Sequence, residues 1–588
     1  MKKSLIYAAT LLATVSITAC SGSGNGNVTG RNTSADETVS EKIISDGTEA
    51  SDETGTAISD GTEASGETGT ESIIAEGGET DNADASSGEA ATGENIDTKN
   101  EYSSETAQNK EEPKLEQLEL KPILKTPGYK NPCMTQRFGA DPYALVYDGR
   151  VYIYMTGDEF MYDKDGKIIE NNYSNIWTLR VISSDDLVNW TDHGEVYAAS
   201  KKGAATWGGN SWAPAAAWKM IDGKPKFFLY FANSGNGIAV LTSDTPYGPF
   251  TDPIGQALIS RATPTCAEVA WLFDPAVLMD DDGQAYIYFG GGIPSQDKIA
   301  NPGTARVAKL GADMISLDGD PVPIANVEYL FEDSGINKIN GKYVYSYCSN
   351  FNVPAGFKFD NGEIITMVSD NPMGPFTYNC GVLKNPGAFF GQGGNNHHCM
   401  FEFGGRMYIT YHARLLEDAM GNISSGYRST NIDYVNFDEN GQFLPSKGTK
   451  EGVEQVKKFN PFVETSAVTV GNQSGNKFLP FDESAAKYGS GKMILATETG
   501  SWTGIYGADF GDEGAAGFEI YLRGNGAGKV HVRKDFLRGD DIATVEFTGA
   551  AEFTAFKASL NEKLTGEHSI YFIFEGEGLE AEKWTFMK

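Results

Sequence analysis

Residues 138–157 read FGADPYALVYDGRVYIYMTG, and the fold turns on how this stretch is understood. A short apolar run, an Asp148-Gly149 pair and an alternating run of Val151, Ile153 and Met155 between aromatics predict a β-hairpin with a buried face. Asp141 stands apart from that pattern. A carboxylate before a proline at the mouth of a core strand is ordinary turn chemistry when met once. It is met again. NSWAPAAAWKMIDGKPKFFLYFAN from Asn210, FDPAVLMDDDGQAYIYFGGG from Phe273, FEDSGINKINGKYVYSYCSN from Phe331 and NNHHCMFEFGGRMYITYHAR from Asn395 each place a polar anchor before an apolar strand, a turn and an aromatic-rich strand. Five copies roughly 58 to 71 residues apart are the mark of radial repetition.

A second, weaker repeat supports this order. SSDDLVNW at Ser183, TSDTPYGPF at Thr242 and VSDNPMGPF at Val368 each follow an aromatic strand, as outer strands of successive blades would. Residues 120–455 are therefore expected to be all-β, a five-bladed β-propeller with four strands per blade. The inner strands of such a fold line its channel, so the anchors converge on one mouth: Asp141, Asn210-Ser211-Trp212, Asp274, Glu332 and Asn395-Asn396-His397-His398. Three carboxylates at equivalent places in one funnel repel one another, and at least one should hold its proton unusually well. A general acid beside a general base, with no cofactor, is what glycoside hydrolysis requires.

The 588 residues carry a net charge of -33 and six cysteines, unevenly distributed. The opening MKKSLIYAATLLATVSITAC has two lysines, an apolar stretch short for a membrane span and small residues before Cys20. It resembles a bacterial lipoprotein signal, residues 1–20, which implies Cys20 lipidated and the mature chain held outside the cell by that anchor alone; a plain secretory signal or an N-terminal anchor helix stays open. Residues 21–115 are Ser, Gly, Thr, Ala, Asp and Glu; positions 21–110 hold 20 acidic and 4 basic side chains, about half the net charge. That composition predicts a disordered tether. No basic patch or phosphate-binding glycine motif points to nucleic acid or nucleotides. The five remaining cysteines form no C-x-x-C pair and no complete disulfide framework, and Cys348 and Cys399 fit buried strands.

The strings ADP, FDP and FEDSG, with WAP in the second repeat and NNHH in the last, resemble glycoside hydrolase family 43; NNHH and YHAR resemble its arabinoxylan arabinofuranohydrolase branch. The resemblance implies hydrolysis with inversion of α-L-arabinofuranosyl or xylosyl bonds in arabinoxylan, arabinan or a related plant cell-wall polysaccharide. It makes Asp141 the general base, Glu332 the general acid and Asp274 the residue that orients the acid and tunes it. It also implies a Ca2+ ion on the propeller axis, held by His397, or next best His398, and otherwise by water. The residues alone equally allow two histidines hydrogen-bonded in the funnel floor. Trp212, Phe273 and Phe351 are candidates for stacking on sugar, with His398 beside them, and Arg414 could reach a substrate hydroxyl or pair with a carboxylate. A β-xylosidase or endo-arabinanase of the same fold stays open. So does a non-catalytic surface glycan-binding protein, which the three intact carboxylates oppose.

Residues 456–588 alternate through Gly-rich turns and predict a β-sandwich of jelly-roll type. They are similar to family 6 carbohydrate-binding modules, with Trp502, Tyr506 and Trp584 as the aromatics of interest. The usual opening glutamate pattern, linked to a module calcium site, is distorted around Glu464.

Overall fold

A computed structural model describes residues 118–421, 426–482 and 491–588. The signal and tether expected at 1–20 and 21–115 lie outside the described residues. The described chain is nearly all β.

Each repeat opens a separate antiparallel sheet. The lead strands are Ala140–Tyr147, Trp212–Ile221, Ala276–Met279, Leu330–Ile339 and His398–Phe403. Four lead hairpins turn on pairs with positive φ at both residues, the twist-matched geometry of a two-residue loop: Asp148-Gly149, Asp222-Gly223, Asn340-Gly341 and Gly404-Gly405. The second, third and fourth sheets hold four strands each. The fifth holds three among the described residues, because after Tyr434 the chain turns into a separate hairpin, Asn436–Phe437 with Phe443–Leu444. The first gains a fifth strand, Thr469–Val470, from the C-terminal region.

Apolar faces of neighbouring sheets meet in discrete cores. One joins the first and second sheets through Tyr154, Val181, Leu229 and Phe231; the next two join second to third and third to fourth. Another joins fourth and fifth, and a last one brings Ile153 and Met155 of the first against Phe401 and Tyr408 of the fifth. The first lead strand accordingly touches both the second and the fifth.

A bulge interrupts the lead strands of the first, second and fourth sheets near their starts. In each, one non-glycine residue takes a left-handed backbone: Asp141 (φ 47°), Ala213 (φ 35°) and Asp333 (φ 70°), matched in the third by Asp274 (φ 50°). Register then sets the true equivalences. Ala140, Trp212, Phe273 and Glu332 share one position, and Asp141, Ala213, Asp274 and Asp333 the next. The expectation that Asp141, Asp274 and Glu332 are equivalent is thus corrected, since Glu332 stands one residue earlier, where two other repeats place an aromatic. The bulge turns both positions toward the same mouth.

The C-terminal region forms a six-stranded and a five-stranded sheet sharing one core, with Phe518, Phe572 and Trp584 in contact within it. None of its three aromatics of interest is free. Trp584 belongs to that core, and Trp502 and Tyr506 are buried with Tyr571 against Val188, Leu118 and Leu120. Glu464 pairs with Lys583 at 2.9 Å. Cys133, Cys266, Cys348, Cys380 and Cys399 are free thiols. Among the described residues no helix is long and apolar enough to cross a membrane.

Candidate active site

The bulged strand starts open onto a cavity of about 750 Å³. Asp141, Trp212, Phe273, Asp274, Glu332, Phe351 and His397 all line it. The anchors Asn210, Ser211 and Asn396 do not, and neither do two expected substrate contacts, His398 and Arg414. His398 is buried beneath, its Nδ1 in a short hydrogen bond with Asp333 and its Nε2 2.8 Å from Ser346 Oγ, so it has no free polar atom for a sugar. Arg414 stands behind Gly394, its Nη2 3.1 Å from where a Cβ on that glycine would sit.

Three buried carboxylates meet here in unlike surroundings. Asp141 Oδ1 accepts a hydrogen bond from Arg428 Nη1 at 2.9 Å and lies 3.1 Å from His412 Nδ1 and 3.7 Å from His397 Nδ1. Burial opposes its ionisation, but the Arg428 guanidinium outweighs burial and holds the carboxyl well below the usual carboxylate range. Asp274 Oδ2 accepts the Asp333 N–H at 2.8 Å, and Glu332 Oε1 accepts the Asn396 N–H at 3.3 Å. Neither has a cation of its own. Burial first, then the neighbouring carboxylates, push both well above the ordinary range. One acid is kept ionised and another kept protonated, the division of labour needed for paired acid and base catalysis.

Several functional residues left no signal in the motifs. Arg428, just before strand Ser429–Tyr434, donates Nε and Nη2 to the two oxygens of buried Asp158, each at 2.9 Å, while its Nη1 serves Asp141. His412 fixes the start of the first lead strand: its Nδ1 accepts the Asp141 N–H at 3.2 Å, and its Nε2 sits 3.0 Å from the Asn395 carbonyl. In YHAR the sequence points to the arginine, and the histidine near it gives no separate signal. Asp333, inside FEDSG, supplies the N–H that orients Asp274. Trp271 and Phe331 extend the aromatic wall, with ring centroids 5.3 Å from Trp271 to Phe273, 5.2 Å from Trp271 to Phe331 and 5.4 Å from Phe331 to Phe351. Trp271 and Phe351 remain 37% and 44% exposed, an apolar surface open at the mouth.

A calcium ion held by His397 and otherwise by water would have to compete with the partners its ring nitrogens already have. Such an ion takes six to eight oxygens. The ring nitrogens of His397 instead face carboxylates, Nε2 lying 3.1 Å from Asp333 Oδ1 and Nδ1 3.8 Å from Asp274 Oδ2. Among the described residues no group of three or more His, Cys, Asp or Glu side chains is arranged to hold a metal ion.

An all-β scaffold that brings one ionised and two proton-holding acids to an aromatic-walled cavity defines a glycoside hydrolase. Residues 129–443 match the family model for glycosyl hydrolases family 43, and the chain belongs to that family, whose members act with inversion. Residues 466–588 match the carbohydrate binding module (family 6). Its relatives include an arabinoxylan arabinofuranohydrolase from Paenibacillus polymyxa, 47% identical over 481 residues, covering 79% of this chain and 75% of that one. Another, from Bacillus subtilis (strain 168), is 44% identical over 471 residues, covering 78% and 91%. A solved family 43 arabinoxylan arabinofuranohydrolase from Bacillus subtilis, in complex with cellotetraose, superposes with a TM-score of 0.76 at 41% identity, covering 79% of this chain and 99% of that one.

Proposed function

We propose that this chain removes α-L-arabinofuranosyl side chains from arabinoxylan or a closely related plant polysaccharide, with inversion, on a five-bladed propeller. The propeller reading rests on the five inter-sheet cores, the last of which joins the first sheet to the fifth. The catalytic reading rests on one observation above the others: Arg428 is hydrogen-bonded to Asp141 while Glu332 and Asp274 have no such partner. Asp141, ionised, takes a proton from water as its oxygen attacks the anomeric carbon. Glu332 gives its proton to the departing glycosidic oxygen as the bond breaks. Asp274 holds the acid's orientation and, by its nearness, its proton. The substrate is supported by the relatives of 44–47% identity that carry that activity in their names.

Proton NMR of the first-formed arabinose from an arabinoxylan oligosaccharide should show the inverted anomer. Glu332→Gln should lose about 10² to 10⁴-fold on that substrate and far less on an aryl arabinofuranoside whose phenol leaves unaided. Asp141→Asn should lose equally on both. A retained product, or reversed leaving-group sensitivity, ends the assignment. We also propose that Cys20 carries a lipid that tethers the enzyme to the cell surface through residues 21–115. Cys20→Ser should release full activity into the medium, and activity that stays with the membrane fraction would refute the anchor.

A further inference from the structure

Tyr173 lies between the first sheet's second and third strands, in the loop ENNYSN, and lines the catalytic cavity. Its φ is 63°, although bulky aromatic residues rarely enter the left-handed region and asparagine, present at 171 and 172, enters it readily. The strain, of order 1–3 kcal/mol for such a residue, is held in place from three sides. The Tyr173 N–H donates to Asn171 Oδ1 at 3.0 Å. Its carbonyl accepts Trp212 Nε1 at 3.1 Å and Asn210 Nδ2 at 3.4 Å, the same amide that also reaches the carbonyls of Ser174 and Ile176. Gly426, φ 99°, lies beside the ring: a Cβ there would be in ordinary contact, 3.7 Å from the tyrosine hydroxyl oxygen.

Core packing does not account for this cost. The ring takes no part in the nearby cluster of Phe138, Phe160 and Tyr427, and its aromatic neighbour is Trp212, met edge-on with centroids 6.4 Å apart. One face covers the Arg428 guanidinium, whose central carbon is 4.9 Å from the ring centroid. The half-buried ring also borders the cavity.

Resting on the proposed function, we infer that Tyr173 is a substrate-contacting, specificity-determining residue, whose ring stacks on the sugar at the reacting end while its far face covers the arginine that holds the base. An apolar sugar face lying on the ring completes a sandwich of sugar, tyrosine and guanidinium. Losing such a contact is worth about 10- to 200-fold in discrimination.

Tyr173→Asn is the decisive variant, because asparagine accepts the backbone without strain. Its melting temperature should equal or exceed that of the wild type, while kcat/KM on an arabinoxylan oligosaccharide falls 10-fold or more, chiefly through KM. Tyr173→Phe should restore kcat/KM to within about threefold, the contact being the ring face. Wild-type kcat/KM in Tyr173→Asn, or a loss matched by a fall in melting temperature, would overturn the inference. Calorimetric binding of the same oligosaccharide to Glu332→Gln gives a readout independent of turnover. The affinity should drop when Tyr173→Asn is added, and an unchanged affinity again refutes the contact. A wild type that binds the oligosaccharide through Tyr173 but does not cleave it would count against the proposed function and not against the contact.

Discussion

A buried guanidinium that serves two carboxylates orients each of them only while all its donors are engaged. Arg428 gives a bidentate pair to Asp158 and its remaining nitrogen to Asp141, so the base is held at a fixed angle as well as a lowered pKa. Lysine has the charge but not the fork. In Arg428→Lys the ammonium cannot span both partners, and Asp141 loses the largest of the influences that offset its burial. Its pKa should climb toward, or past, the ordinary carboxylate value. The base must be ionised to act, so a higher pKa moves the acidic limb of the kcat/KM profile to higher pH, by about one to three units for the loss of an adjacent arginine. The alkaline limb, set by Glu332 losing its proton, should move less. A pH–rate profile of the variant with an unmoved acidic limb would show that Arg428 is not what keeps Asp141 ionised. No motif announced this residue, because a single arginine ahead of a Ser-Thr strand has no partner spacing along the chain; Asp158, its anchor, is 270 positions away.

The repeated bulge links strand to chemistry. The hairpins themselves were readable, since alternation places one face of each strand in a core and the Asp-Gly, Asn-Gly and Gly-Gly pairs have the positive φ their turns require. So were Asp141 and Asp274, as carboxylates before proline. What could not be read was the extra residue at each strand start, because a bulge shifts register without altering the hydrophobic pattern. Hence the sequence pattern aligns Glu332 with Asp141, whereas register makes its equivalents Trp212 and Phe273 and puts Asp333 in the carboxylate position. His398 was misplaced for a related reason: neighbouring residues of a strand point to opposite faces, so of the pair His397-His398 only one can face the cavity. Ala213 tests the bulge without touching an acid. It has φ 35° and donates its N–H to Thr156 Oγ1 at 2.8 Å, locking the second lead strand against the first sheet. Ala213→Val puts a β-branched residue where its backbone is least tolerated and should cost about 1–3 kcal/mol in urea unfolding. Ala213→Gly should stay within about 1 kcal/mol of the wild type, relief of strain offsetting a looser unfolded chain. Equal stability of the valine and glycine variants would mean the left-handed backbone is not required there.

At the scale of the whole molecule, the sequence suggests a catalytic domain followed by a separable module, and the described contacts suggest a joint. Thr469–Val470 adds a strand to the first sheet beside Trp190–Tyr197. Asn189 pairs with the Tyr506 backbone through two hydrogen bonds of 2.9 Å, and Gln473 is bonded to Thr135 Oγ1 at 3.1 Å. From the other end, Leu118 and Leu120 pack on the Trp502 and Tyr571 cluster, and the Lys125 carbonyl accepts Asn472 Nδ2 at 2.8 Å. Trp502 and Tyr506 are therefore spent on holding the two parts together, which no count of tryptophans and tyrosines along the sequence could reveal. Removing residues 456–588 would expose the edge of the first sheet, Val188 and both leucines at once. Unpaired strand edges beside apolar surface favour aggregation, and the first sheet carries Asp141. The shortened chain should be poorly soluble or melt well below the full chain, with reduced turnover even on a small aryl arabinofuranoside that needs no glycan-binding module. Differential scanning calorimetry of the intact protein should show the two parts unfolding in one cooperative transition, as a shared buried interface requires. Two well-separated transitions, together with a truncated chain of undiminished melting temperature and activity, would show that the module is an independent appendage and that the interface contributes nothing to the catalytic fold.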